Sequence, residues 1–435
     1  AGQHRHGGGA RHTGGGAVSL PRLLDGVRRD RPLSLSEHRS VHGTARFGGH
    51  ELINAVAVAG LRGRGGASFP TAVKMETVAR RRGPRVVLVN AAEGEPMSAK
   101  DRALLQLNPH LVLDGAMAAA DAVGARSVVV AIPADADSTL LALRNAIEER
   151  SERRRVSVER VPVAHLAGEE SALIHYLNGG PLKPTIVPPL PAERGLKRRP
   201  TLVQNPETLG HIALIAGHGP DWFRAVGTSE HPGSALVTVS GAVRNQGVLE
   251  MACGTPFSAL LDTMGGSLEP LRAVLVGGYH GVWISRDDLS SLTLDDACLG
   301  RFGGGLGAGV IVALGQSACP LQELAGTVRW LASESAGQCG PCSNGLPALA
   351  ELLQALTAGQ APRNAPELLD RWCGQLLRRG ACHLPDGAVK FVQSGVDVFA
   401  DELAEHDLHG PCRACRRPLT LHLALTSGPT ARAAA

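Results

Sequence analysis

Aromatic side chains are scarce: Phe, Trp and Tyr together make up 3% of the 435 residues. So few rings exclude the stacking surface that holds single-stranded nucleic acid. A dominant charge is also lacking, since 44 basic residues face 40 acidic ones and leave a net charge of +4. No basic face for a phosphate backbone is expected, and so no nucleic-acid partner. No apolar run reaches the ~18 residues of a membrane span; Val86–Val89 and Leu111–Leu113 read as buried strand or helix pieces. Ala1 to Gly16 is Gly, His and Arg without the apolar stretch of a secretory signal, which gives the expectation of a cytoplasmic protein. Cysteine is missing from the first 252 residues, while six of the nine cysteines fall between 339 and 415. Late Cys-x-x-Cys pairs in such a chain favour metal or cluster ligation over a disulfide framework.

What is present divides the chain into stretches of different texture. Residues 1–45 read as a low-complexity tail and lead-in; His4, His6 and His12 there could bind metal or be solvated. From 46 to 228, β-branched runs alternate with helical patterns. Val86–Val89 and Ser127–Ile132 read as buried strands, Pro109–Val123 and Ser138–Arg150 as helices, and Arg153–Arg155 as a solvated helix end. This alternation predicts an α/β domain with a parallel, Rossmann-like sheet. From 229 to 312, strand-like Ala235–Ser240, Gly247–Met251, Leu271–Val276 and Val310–Ala313 surround one helical stretch, Ser258–Met264, and suggest a small α+β module. From 313 to 405 the pattern is helical, in Leu321–Glu334, Leu346–Thr357, Pro366–Arg379 with Gly380 as its cap, and Ala388–Ala404. Residues 406–435 read as a tail carrying Cys412 and Cys415.

The most informative stretch is Gly60-Leu-Arg-Gly-Arg-Gly-Gly-Ala-Ser-Phe-Pro-Thr71. Its glycines let a ligand approach the backbone closely, Arg62 and Arg64 are donors suited to phosphate, and Pro70-Thr71 suits a helix start through Lys74, where an anion is favoured. A flexible turn is the plain alternative. The loop is not a Walker loop, because no Gly-Lys-Ser/Thr follows, and it lacks the acidic partner of a Rossmann fingerprint.

This loop resembles the flavin-phosphate loop of the NADH-binding flavoprotein subunit (the F subunit) of respiratory NADH:quinone oxidoreductase, a family that includes related subunits of NAD-reducing hydrogenases and formate dehydrogenases. Asn90–Arg102, Ala164–Leu173, Leu202–Leu209, Gly233–Met251 and Glu334–Leu346 resemble its following blocks, in order, the fourth being its β-grasp insert and the last its first cluster motif. The resemblance implies FMN as cofactor and NAD(H) as substrate. Gly63, Arg64, Gly65, Gly66 and Lys74 would hold the phosphate and ribityl chain; Asn90, Glu93 and Glu95 would line the flavin; Asn205 would close over the chain. Phe69, Glu169 and Glu170 fall where the family binds nucleotide, and no catalytic residue is implied beyond the flavin. Ala92, Ala99, His165 and Met75 stand where the family has Asp, an aromatic, Tyr and Trp, which weakens the nucleotide side of the match.

The family's cluster motif is Glu-Ser-Cys-Gly-x-Cys-x-Pro-Cys with a later fourth cysteine. Here Ala336 replaces the first ligand, leaving Cys339, Cys342 and Cys382. A 4Fe–4S cluster normally takes four thiolates, so one iron would need another ligand, or a 3Fe–4S cluster would form. His383, Cys373, a folded-back Cys412 or Cys415, or a small molecule could supply the ligand. A zinc site from Cys339, Cys342, Cys412 and Cys415 and a lost cluster are the other readings, and Cys253, Cys298 and Cys319 read as buried apolar residues. The sequence therefore predicts an FMN-dependent subunit that accepts hydride from NAD(P)H and passes single electrons to an iron–sulfur, ferredoxin-like partner or a membrane-bound reductase. Its rival is a non-catalytic assembly subunit that kept the fold.

Overall fold

The computed structural model describes residues 20–28, 30–151 and 155–421; His4, His6 and His12, and Arg153 and Arg154 of the basic run, lie outside them. Four strands form a parallel sheet: β1 (Arg85–Asn90), β2 (Ala125–Pro133), β3 (Val156–Val161) and β4 (Thr201–Gln204). Their order is β3-β2-β1-β4, parallel throughout. Val86, Val87, Leu88 and Val89 are all buried because helices cover both faces of the sheet. The helix Pro109–Val123 follows β1; proline opens it and Gly124, at φ 69°, ends it in the left-handed conformation. Ser138–Arg150 is observed as Asp137–Glu148. The strands β3 and β4 go beyond the expected set. The first is an edge strand whose apolar side is thin, and the second has only four residues.

The chain runs from β1 outward to β2 and β3, then returns across the sheet to β4. The direction of winding therefore reverses between β1 and β4. In open α/β sheets ligands bind at the carboxyl ends of strands where this reversal occurs. Asn90 ends β1, and Asn205 follows β4 immediately.

A second, mixed sheet contains β5 (Ser234–Gly241), β6 (Gly247–Ala252), β7 (Leu271–Val276), β8 (Val282–Ser285) and β9 (Val310–Gly315), in the order β6-β5-β9-β7-β8. Its first and last strands, β5 and β9, are parallel neighbours at the centre, as in a β-grasp sheet, and the helix Phe257–Thr263 packs beside it. Buried Glu250 on β6 accepts the backbone N–H groups of Arg22, Leu23 and Leu24 at 2.7, 2.8 and 3.2 Å, which fastens the lead-in segment to this sheet.

The C-terminal part is helical: Pro320–Ser333, Leu346–Ala358, Ala365–Leu376, Leu384–Val398 and Ala400–His409. Three expectations change here. The helix expected to run to Arg379 stops at Leu376, and Arg378, at φ 57°, takes the left-handed turn assigned to Gly380, with its N–H on Asp386 Oδ1. The single helix expected over Ala388–Ala404 begins earlier and breaks at Phe399, whose buried ring meets Trp283 edge-on at 5.1 Å. The expected tail is packed at its front: His406 and Leu421 are both buried, and residues 422–435 lie outside the described part. Among the described residues no helix is long and apolar enough to cross a membrane.

Candidate functional site

The glycine loop lies between the helices Gly49–Ala59 and Thr71–Ala79 and folds over the carboxyl end of β4. Gly63 N–H donates to Phe69 O at 2.9 Å, and Gly66 sits at φ 110°, a conformation that a side chain would strain. A Cβ on Gly65 would lie 3.4 Å from Asn205 Cβ, so the loop and the β4 terminus already touch. Asn205 caps the helix Pro206–His218 by accepting Glu207 N–H at 3.0 Å. Its Nδ2 donates to Asp101 Oδ2 at 2.6 Å. The residues after β1 converge on the same place. Asn90 Nδ2 donates to Gly168 O at 2.9 Å, bringing in the segment that carries Glu169 and Glu170. Glu93 caps the helix Lys100–Leu107, accepting Asp101 N–H at 3.1 Å, Arg102 N–H at 3.3 Å and Ser98 Oγ–H at 2.6 Å.

Lys74 and Glu170 form an ion pair of 2.8 Å, each about one-third exposed. Glu169 caps the helix Glu170–Leu177 through Ser171 N–H and Ala172 N–H. Phe69 is 46% exposed and leaves an aromatic face open to a ligand. Glu95 is partly buried and accepts Tyr279 N–H at 2.9 Å and Met97 N–H at 3.4 Å; desolvation pushes its carboxyl up to about 7.

Arg64 departs from the expected phosphate-binding role. Its guanidinium is 7% exposed and is engaged by His231 Nε2 at 2.8 Å and Ser234 O at 3.0 Å, while its backbone N–H donates to Thr208 Oγ1 at 2.9 Å. It ties the loop to the mixed sheet. Sequence reasoning also passes over a buried charge cluster beneath the loop. Lys100 Nζ lies 2.8 Å from both Asp101 Oδ1 and Glu207 Oε2, with Arg64 Nε 3.8 Å from Glu207 Oε1. Burial pushes Asp101 up, whereas Lys100, His211 and Arg64 overcome the effect of burial at Glu207 and hold it at about 2. Their signal is position: Lys100 and Asp101 end one noted block and Glu207 lies inside another.

His165, in place of an expected tyrosine, joins this site to the cysteine end. Its Nδ1–H donates to Gly94 O at 3.0 Å, its backbone N–H to Glu334 Oε2 at 2.9 Å, and its ring meets Trp330 edge-on at 5.5 Å. Burial lowers its pKa, so the ring is neutral. A Cβ on Gly94 would approach His165 O to 2.5 Å, so only glycine permits this crossing. Beyond Glu334 the chain reaches a π-helical turn, Pro341–Gly345. Cys339 accepts the N–H of Ala381, and Cys342 is close enough to Cys339 and Cys382 to be raised by both, after burial, to about 12. Burial raises the Cys382 thiol, and the Glu169 carboxylate, which lies near it, adds to the rise. Ala336 packs in the same apolar cluster as Cys339 and Cys382.

Two suggested ligand sets fail on geometry. Cys412 and Cys415 lie against Cys319 and His406 instead of turning back to Cys339 and Cys342, with Cys415 Sγ 3.3 Å from Cys319 Sγ. This removes both the folded-back rescue and the zinc site with Cys339 and Cys342. Cys319 is buried as expected, but its thiol is not in a purely apolar setting. Cys373 is buried in the helical core, while Cys253 and Cys298 are buried in and around the mixed sheet.

Residues 56–214 match the family model of the Nuo51 FMN-binding domain, and residues 322–406 match that of the NADH-ubiquinone oxidoreductase-F iron-sulfur binding region. The second NADH-quinone oxidoreductase F subunit of Rhizobium meliloti is 31% identical over 373 residues, covering 82% of this chain and 88% of its own. The chain belongs to the F-subunit family of NADH-quinone oxidoreductase. The corresponding F subunit of Streptomyces coelicolor is also 31% identical, over 82% of this chain and 83% of its own. Among solved structures, a chain of the air-oxidised NAD+-reducing NiFe hydrogenase superposes with a TM-score of 0.76 at 32% identity, covering 81% of this chain and 62% of that one. The FMN-domain match begins within the helix before the glycine loop and ends within the helix that Asn205 caps. The iron–sulfur match spans all three cysteines of the π-turn and Cys382 segments.

The residues present fit FMN. The loop offers glycines where side chains would intrude, a lysine stands at the start of a helix, and Asn90 and Asn205 end adjacent strands at the reversal of winding. The cysteine end fits an iron–sulfur cluster with three protein thiolates.

Proposed function

We propose that this protein is an FMN-dependent electron-transfer subunit that takes hydride from a reduced nicotinamide nucleotide and delivers electrons singly to an iron–sulfur partner. FMN, when bound, accepts two electrons together and releases them one at a time. Gly63, Gly65 and Gly66 admit its phosphate and ribityl chain, Lys74 balances the phosphate, and Asn90 and Asn205 bound the chain from the two strand ends. Glu93 contributes by fixing the loop that follows β1. Phe69 and Glu170 stand on the open side, where nucleotide enters. On this reading residues 46–228 bind flavin and nucleotide, 229–312 form the β-grasp module and 313–405 carry the cluster.

The observation that carries the reading is the Gly94–His165–Glu334 connection, which joins the flavin side to the helix leading into Cys339 and Cys342. The segment that would line the flavin is thereby joined through His165 to the helix leading to the cysteines that would hold its one-electron acceptor. The partner is an iron–sulfur or ferredoxin-like subunit, or a membrane-bound reductase reached through one. The test is an absorbance spectrum of the purified chain followed by stopped-flow mixing with NADH and with NADPH. Flavin bands that bleach with either nucleotide support the reading. Bound flavin that neither nucleotide bleaches overturns it in favour of a non-catalytic subunit.

A further inference from the structure

Four metal-binding side chains converge at a place the electron-transfer reading does not use. The Sγ atoms of Cys319, Cys412 and Cys415 and one ring nitrogen of His406 all lie within 4.8 Å of one another. Cys415 Sγ is 3.3 Å from Cys319 Sγ and 3.6 Å from Cys412 Sγ; His406 Nε2 is 3.3 Å from Cys415 Sγ and 3.6 Å from Cys319 Sγ. The cysteines are free thiols. The geometry points to a structural zinc site, Cys319–His406–Cys412–Cys415, that latches the C-terminal segment onto the helical domain.

The spacing selects the metal. Four ligands about 2.0–2.3 Å from one ion at tetrahedral corners lie about 3.3–3.8 Å apart, and the four pairs above, at 3.3–3.6 Å, have that spacing. A cubane distributes its cysteines over four separate irons and needs them farther apart. Three thiolates and one imidazole complete a closed tetrahedral shell with no position left for water or substrate, the arrangement of a structural site.

His406 is oriented for the role. Its Nδ1–H donates to Glu402 O at 2.8 Å, one helical turn back, which fixes the tautomer that leaves Nε2 with a lone pair toward the sulfurs. Cys319 stands at the N-cap of Pro320–Ser333, at the positive end of that helix, which favours a thiolate. Cys412 and Cys415 flank a short turn closed by Cys415 N–H to Cys412 O at 3.2 Å, the form that two thiolates on one ion require.

The latch has a stated load. Beyond Cys415, Thr420 N–H and Leu421 N–H donate to the two oxygens of Glu323 at 2.7 and 3.0 Å. Leu421 is fully buried, and its carbonyl accepts the Tyr279 hydroxyl. Tyr279 N–H is the donor that holds Glu95. A short polar segment with little core of its own is thereby pinned behind the residue that faces the flavin side, and metal ligation supplies order that its composition does not.

The experiment is elemental analysis of the full chain, purified anaerobically after growth with zinc supplied. One equivalent of zinc is expected in addition to any iron. The double variant C412S/C415S should lose that zinc while flavin and iron stay at the parental level; C339S/C342S should lose iron and keep zinc. Cobalt(II) exchanged into the parent should give the intense visible bands of tetrahedral thiolate ligation. Zinc below about a tenth of an equivalent in the parent, or iron lost from C412S/C415S, overturns the site. Should the double variant fail to fold, a mercurial titration of the parent decides: zinc released to a chromogenic chelator in step with thiol modification supports the site, and thiol modification without zinc release overturns it.

Discussion

Lys74 and Glu170 meet at 2.8 Å, the first from the helix behind the glycine loop and the second from the segment that Asn90 holds at Gly168. Both are about one-third exposed, so the pair contributes only about 0–1 kcal/mol to stability. Its replacement therefore reads out ligand binding with little interference from folding. K74M should lower FMN retention on gel filtration, because the helix that follows the glycine loop loses its ammonium group. E170Q should retain FMN, and the KM for NADH should rise while the melting temperature stays within about 2 °C. Equal loss of flavin in both variants would show that Glu170 serves the flavin.

The loop itself is tested by G65V. A Cβ at this position already reaches van der Waals contact with Asn205 Cβ at 3.4 Å, and the two γ-methyl groups would enter the space that the phosphate needs. The expected outcome is a protein without flavin absorbance bands and with a near-parental circular dichroism spectrum. Full flavin occupancy in G65V would remove the loop assignment.

These two tests rest on residues legible in the sequence, and the reason is chemical. Glycine, arginine and lysine at fixed spacing report a backbone that approaches an anion, whatever the surrounding fold. Long apolar stretches such as Pro109–Val123 are equally legible, because a buried helix has periodicity to spare. Short elements are not: four-residue β4 carries too few positions for a period to show, yet it places Asn205. Arg64 misleads because sequence gives the charge of a side chain and not its direction; its guanidinium turns inward to His231. Cys319 and His406 escape notice as partners of Cys412 and Cys415 because only the packing of three separate segments brings them together. Arg378 takes a left-handed turn that glycine would have signalled, and Asp386 stabilises it through a contact eight residues away.

Glu95 makes stability depend on pH. Its folded carboxyl titrates at about 7 against an ordinary 4.5, because burial disfavours the anion. Below pH ~4.5 the group is neutral in both states; between these values only the unfolded chain ionises; above 7 the folded protein carries the full cost, about 3 kcal/mol. Stability from this group therefore falls as pH rises from 4.5 to 7. E95Q keeps an acceptor for Tyr279 N–H but cannot ionise. On flavin-free protein, the melting temperature of E95Q relative to the parent should rise by several degrees between pH 5 and pH 8. A difference that does not change with pH would show that the carboxyl is ionised throughout.

The cluster end carries a separate prediction. Cys339, Cys342 and Cys382 supply three thiolates, and Ala336 occupies the family's first-ligand position within the same packed region. An iron without its thiolate is the easiest to lose. Anaerobic protein should contain iron and sulfide that fall on exposure to air, with a three-iron signal appearing by electron paramagnetic resonance. A336C should suppress that signal and retain iron in air. Identical air sensitivity in A336C and the parent would place the weak ligand elsewhere.

The buried charges under the loop lead to the largest expected effect on stability. Lys100 is 2% exposed, and its ammonium is shared among Asp101 Oδ1 and Glu207 Oε2 at 2.8 Å and Asn205 Oδ1 at 3.3 Å. Such a group adds little net energy over an apolar replacement of the whole cluster, but removing one partner leaves the others buried and uncompensated. K100M should therefore cost about 3–5 kcal/mol, and more at pH 8 than at pH 5. The sign follows from the carboxyls. Without the cation, burial raises both Asp101 and Glu207, so the folded state resists their ionisation and stability falls with rising pH. K100M/E207Q should recover part of the loss, since one of the two stranded carboxylates is then neutral, although Glu207 Oε1 must still accept Leu236 N–H at 2.8 Å. Flavin retention is the second readout, because Asn205 takes its orientation from Lys100 and Asp101. If K100M melts with the parent at both pH values, water reaches the cluster and the charges are not held in a dry interior. If it is destabilised but binds flavin normally, Lys100 supports the fold without positioning Asn205.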